Sequence, residues 1–156
     1  MNFLEKEYTI LKKQIGQTVG SSGWVSISQE RINEFAKVTE DHQFIHLDPE
    51  KAKQLSPFGN TIAHGFLVLS FASKFAIEVL PETSLKTIRI NYGFNKVRFI
   101  HPVFVNSSIR GTFVLNHFEE KGRNGLLQNF ELTIEIMDSD KPALVAEWLT
   151  LTKSNE

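Results

Sequence analysis

The chain has 156 residues, of which 41% are hydrophobic, 22% charged and 11% aromatic, a profile that excludes disordered, collagenous and repeat classes and fits one globular domain spanning residues 1–156. With 17 Lys and Arg against 18 Asp and Glu, no one-signed field invites nucleic acid or an anionic membrane as a partner. Cysteine is absent, which removes disulfides, thiolate metal sites and a cysteine nucleophile.

Residues 1–14 mix charges into every short apolar run and offer no signal-peptide core, so a cytoplasmic location is expected. Ser26, followed three residues later by Gln29, resembles a capping box and predicts an amphipathic helix carrying Ile32, Phe35 and Ala36 to about Thr39. Asp48-Pro49 predicts a second, short helix, an acid at the N-cap and proline in its first turn, with Ala52 and Leu55 on one side and an end before Ser56-Pro57. From Gly65 to Leu80 apolar residues occupy most of the helical circumference, so this helix must be wrapped by other structure. Ser70, Ser73, Lys74 and Glu78 interrupt it, and it falls short of a membrane span.

From Leu85 the period changes to two. Ile109, Gly111, Phe113 and Leu115 alternate with polar or opposite-face residues, as do Phe130, Leu132, Ile134 and Ile136, the pattern of half-buried strands. Further strands are predicted over Lys86–Tyr92, Lys96–Ile100 and Ala143–Thr152, and the turn-rich stretch Glu119–Gly125 suits a hairpin. Helices before residue 81 followed by consecutive strands argue for an α+β fold with an antiparallel sheet. A sixteen-residue apolar helix is about 24 Å long, the right scale to lie along the concave face of a strongly curved sheet, the hotdog arrangement.

Between the first helix and the apolar one lie Glu40–Asp48 and Phe58–Gly65, dense in ionisable and small residues but anchored by Phe44, Ile45, Leu47, Phe58 and Ile62. Such a segment tucks against the core with some polar groups turned inward. Asp41 and His46, five positions apart, would sit about 140° from one another on a helix and on opposite faces of a strand. Only an irregular turn brings them together, and there a carboxylate and an imidazole can converge on one water, the arrangement of general acid–base chemistry. The plain alternative leaves Asp41 as a helix cap and His46 as a polar loop residue. Gly65 opens the apolar helix, where unpaired N–H groups and the dipole could hold a developing oxyanion; as a plain packing contact it would do no chemistry. Ser73, two turns on, lies on a similar face, although a helical hydroxyl is more simply satisfied by the preceding turn. His42 and His46 stand four apart but in no predicted helix, no acidic cluster completes a hard-ion site, and no metal site is expected. No nucleophile elbow, P-loop or dinucleotide fingerprint occurs, and Lys96, Arg98 and Arg110 read as a solvated strand face.

The runs Thr39-Glu40-Asp41-His42-Gln43-Phe44-Ile45-His46-Leu47-Asp48-Pro49 and Pro57-Phe58-Gly59-Asn60-Thr61-Ile62-Ala63-His64-Gly65-Phe66-Leu67 resemble the signature of MaoC-like dehydratases, the (R)-specific enoyl-CoA hydratases of hotdog fold. Asn91–Phe99 and Lys141–Trp148 resemble the nodulation-protein-N-like branch. The resemblance implies Asp41 and His46 as a catalytic dyad, the Gly65 N–H as the group that polarises a thioester carbonyl, and Ser73 as a supporting residue. It further implies an acyl-CoA or acyl-carrier-protein thioester as substrate, no cofactor beyond the CoA the substrate brings, and a homodimer or higher homo-oligomer. Many hydratases carry Asn-Pro where this chain has Gln43-Phe44. A hotdog acyl-CoA thioesterase and a non-catalytic acyl-thioester binding module remain as alternatives.

Overall fold

The computed structural model describes residues 3–80 and 87–154. Its elements are α1 (Phe3–Gln14), β1 (Thr18–Ser21), β2 (Val25–Ser26), α2 (Gln29–Thr39), α3 (Phe44–Leu47), α4 (Pro49–Leu55), α5 (Gly65–Val79), β3 (Thr87–Phe99), β4 (Ser108–Glu120), β5 (Gly125–Ile136) and β6 (Leu144–Ser154). All strand pairs are antiparallel, in the order β1-β4-β5-β6-β3, with β2 also on β4. The architecture is the α+β hotdog expected from the sequence, α5 lying against the sheet. No helix among the described residues is long and apolar enough to cross a membrane.

The contact between α5 and the sheet explains Gly111 within an otherwise bulky inward row. A Cβ at Gly111 would stand 2.8 Å from the Phe75 ring, and one at Gly20 would stand 3.0 Å from Val79. Absent side chains on β4 and β1 thus let the helix settle onto the strands. Around this crossing Phe75, Phe113, Phe130 and Trp148 close the core, with Phe113, Phe130 and Trp148 in mutual ring contact at 6.0–6.4 Å.

Several sequence expectations need correction. The cap of α2 is Ser28, which accepts from the Arg31 N–H at 3.3 Å, so Ser26 and Gln29 form no capping box. Asp48 caps α4 as expected, accepting from Lys51 N–H at 3.0 Å, but Leu55 is exposed and Ala52 alone anchors that helix. The two strands expected on either side of Gly93 are one 13-residue strand, β3, that passes the glycine through register irregularities at 91–93 and 94–96. Lys86, placed in the first of those strands, lies outside the described residues. Sheet does not cover α5 on every side, since Phe66 and Ile77 are 69% and 78% exposed. The helices α1 and α3 and the short strands β1 and β2 were not anticipated. Arg110 pairs with Glu135 and stacks over Trp24, while Lys96 and Arg98 are exposed, as a solvated strand face requires.

Candidate active site

The irregular turn that the Asp41/His46 spacing demands is built at the end of α2. Glu40 takes a left-handed conformation (φ 61°, ψ 17°), a helix-ending geometry that costs an L-residue roughly 1 kcal/mol. The chain leaves the helix axis there, Asp41 accepts from the Gln43 N–H at 3.4 Å, and the single turn of α3 then carries His46 inward. Gln29 fastens this turn from α2: its amide donates to the His46 carbonyl at 2.7 Å and accepts from the Thr61 hydroxyl at 2.7 Å. The strand-like segment ahead of α5 is held in turn by Ile62 N–H to Ile45 C=O and by Ala63 N–H to Val103 C=O.

Three ionisable side chains meet in this frame. A carboxylate oxygen of Asp41 and one ring nitrogen each of His46 and His64 lie within 4.8 Å of one another. The two imidazoles, both buried, stack at 3.8 Å between centroids with 26° between planes. His46 Nδ1 lies 2.8 Å from the Ile62 carbonyl and His64 Nε2 lies 3.0 Å from the Asp41 carbonyl. A carbonyl only accepts, so His46 carries its proton on Nδ1 and His64 on Nε2. Neutral His46 therefore turns a bare Nε2 away from the backbone, while Nδ1 of His64 is buried without a partner among the described residues. Burial pushes the His46 imidazole below its ordinary pKa and the neighbouring His64 pushes the same way; the Ile62 carbonyl and Asp41 oppose them. An Asp/His/His set is of metal-ligand type, and a ring nitrogen bonded to a backbone carbonyl leaves the other one free; the stacking of the two rings nevertheless directs their in-plane lone pairs along separate planes rather than toward one point.

Gly65 follows His64 directly and opens α5, so its N–H belongs to the first turn and has no acceptor within the helix. It lines an apolar cavity of about 400 Å³ with Ile62, Phe66, Phe99 and His101. The Phe99 ring occupies the position beside Gly65 where a Cβ would stand, 2.9 Å from it. Ser73 lines a neighbouring cavity of about 390 Å³ with Asn91, Tyr92, Phe94 and Trp148, and Phe66 borders both. Its hydroxyl exchanges hydrogen bonds with the Asn91 amide at 3.1–3.4 Å, whereas Ser70 bonds back to the Phe66 carbonyl. Asp41 and His46 are thus brought together, Gly65 adjoins them through His64, and Ser73 stands on the far side of Phe66. The sequence reading missed His64 and Gln29 as parts of this site. An imidazole immediately ahead of the helix-opening glycine was the available signal for the first; the second was masked by its apparent role in a cap.

Residues 11–132 match the model of the MaoC like domain. The chain is 45% identical over 138 residues to nodulation protein N of Rhizobium leguminosarum bv. viciae, covering 88% of this chain and 86% of that protein. It is 46% identical over 132 residues to 3-hydroxyacyl-thioester dehydratase Z of Mycobacterium tuberculosis, covering 85% and 86%. Among solved structures, the (R)-hydratase from A. caviae involved in PHA biosynthesis superposes with a TM-score of 0.71 at 23% identity, over 87% of this chain and 94% of that one, a likeness of fold. With the domain model spanning most of its length and two curated relatives near 45% identity, this chain belongs to the MaoC-like domain family.

Proposed function

We propose that the protein catalyses the reversible, (R)-specific addition of water across the double bond of a trans-2-enoyl thioester, giving an (R)-3-hydroxyacyl thioester. The observation that carries the reading is the Asp41 carboxylate within 4.8 Å of the His46 imidazole, next to the opening turn of α5. Two acceptors that share one water through ordinary hydrogen bonds stand about 4.5 Å apart. A water giving one hydrogen to Asp41 and the other to the bare Nε2 of His46 presents its lone pair outward, toward C3 of the substrate. As the C3–O bond forms, one O–H bond breaks into an acceptor of the dyad and the π electrons move toward the thioester oxygen. The Gly65 N–H, at the positive end of the helix, would hold that oxygen; such a donor is typically worth about 10²–10³ in rate. The same dyad then returns a proton to C2, so both parts of water end on the product and the reaction needs no cofactor.

The 46% identity to a protein named a 3-hydroxyacyl-thioester dehydratase supports this substrate class, with CoA or an acyl-carrier protein as the thioester's handle. The (R) configuration follows the resemblance. A homodimer and a cytoplasmic location belong to the same proposal. The test is a panel of trans-2-enoyl-CoA substrates of increasing chain length, followed by enoyl absorbance, thiol release and chiral analysis of product. Loss of absorbance without thiol release, with (R) product, is expected. Asp41→Asn and His46→Ala should each lower kcat by about 10²–10⁴ with unchanged circular dichroism. Thiol release would establish a thioesterase instead, binding without turnover a carrier module, and full rates in both variants would remove the dyad.

A further inference from the structure

His64 is the one buried imidazole of the cluster to which the proposed reaction gives no task, and its surroundings are unusual for a packing residue. It is 2% exposed, its ring carries His46 on one face at 3.8 Å, Phe35 of α2 lies 5.1 Å away, and its Nε2–H reaches back 23 positions to the Asp41 carbonyl. Its Nδ1 meanwhile finds no partner among the described residues. A residue selected only to fill this space would be an aliphatic or a phenyl ring, which leaves no buried acceptor stranded. The retained nitrogen pair makes sense when the Nε2 donor is needed enough to tolerate the orphaned Nδ1.

We infer that His64 is a positioning residue for the dyad, its ring the platform on which His46 stacks and its Nε2–H the tether that holds the Asp41 turn beside that ring. The Asp41 turn has few other restraints of its own: the residue is exposed, and among the described residues its carboxylate holds only the Gln43 N–H at 3.4 Å. His46 is fixed independently by Ile62 and Gln29. The bond from His64 therefore sets the distance between the two members, and it does so from the residue adjoining Gly65, so that one short segment indexes acid, imidazole and amide together.

The kinetic part of the test rests on the hydratase reading; the structural parts do not. His64→Phe keeps a buried ring and removes the donor, whereas His64→Gln removes the ring and offers an amide N–H near the Nε2 position. A tether predicts that His64→Phe loses roughly 10²-fold in kcat with KM nearly unchanged, and that His64→Gln recovers much of the loss. A role in packing predicts the opposite order, with phenylalanine tolerated and glutamine worse, and that order would overturn the inference. Hydrogen exchange over residues 40–43 should quicken in His64→Phe and less so in His64→Gln; unchanged exchange in His64→Phe counts against the tether. Long-range proton–nitrogen spectra of the wild-type protein should show the His64 proton on Nε2, and a proton on Nδ1 instead would refute the proposal even if neither variant folds. If no enoyl thioester is turned over, exchange and tautomer decide the matter alone.

Discussion

His46 shows how backbone carbonyls choose a side chain's chemistry. Its Nδ1–H is spent on Ile62, which leaves Nε2 as an acceptor, and burial disfavours the cation that would cancel that acceptor. The consequence for stability has a definite sign. An imidazole in the unfolded chain takes up its proton as the pH falls through about 6.5, whereas folded His46 resists until a lower pH. Between those values the unfolded state binds more protons, so stability drops on acidification and levels once the folded value is passed. The groups that act electrostatically on His46 are Asp41 and His64; Gln29 from α2 is neutral, and the Asp48 carboxylate caps α4. Urea unfolding at pH 7.5 and 5.5 should show a larger loss for the wild-type chain than for His46→Gln, and parallel losses would contradict the assignment. Of this chemistry the sequence displayed the residue types but not their meeting. Five positions separate Asp41 from His46 in a way that no regular element reconciles, and the left-handed Glu40 that does so carries no compositional mark.

At the scale of elements, two glycines at α5 have different work to do, Gly65 as its first residue and Gly111 facing it from β4. A methyl at Gly111 would press on the Cβ and ring of Phe75, fully buried and unable to yield, so Gly111→Ala should cost about 1–3 kcal/mol in thermal or chemical unfolding. A methyl at Gly65 would press first on the half-exposed ring of Phe99, which can swing aside. Gly65→Ala should therefore keep most of its stability yet lose about 10-fold or more in kcat, because the methyl stands next to the N–H assigned to the carbonyl. Activity lost in proportion to stability at both sites would show that neither glycine has a separate catalytic role. The elements that carry these contacts were legible because each repeats a period: α5 through its apolar circumference, β4 and β5 through strict alternation. β1 and β2, with four and two residues, are too short to display a period, and the irregularities of β3 broke its alternation into two apparent strands. His64 was illegible as a partner of Asp41 because the link depends on how residues 61–63 bridge to Ile45, Val103 and Val105.

At the scale of the whole molecule, the described residues leave one long sheet edge. β3 ends the sheet order, hydrogen-bonds on one side only to β6, and exposes Ile88, Ile90, Tyr92, Phe94 and Phe99. Proteins guard such edges with charge, brevity or a cover, and here Lys96 and Arg98 guard only the far end. Beside it α5 exposes Phe66 and Ile77. A second copy meeting this edge about a two-fold axis would cover both, the self-complementary contact that closed dimers use. Light scattering should give twice the chain mass at micromolar concentration, and the double variant Ile88→Lys/Ile90→Lys should give the monomer. Asp41, His46 and His64 all come from one chain, so the histidine tautomers should persist in that monomer. The cavity of Ser73, in contrast, is walled by Tyr92 and Phe94 of β3, and an uncovered edge should raise KM for longer enoyl chains before it changes kcat. A wild-type chain whose mass stays that of the monomer at every concentration would remove the dimer and leave the exposed edge to another explanation.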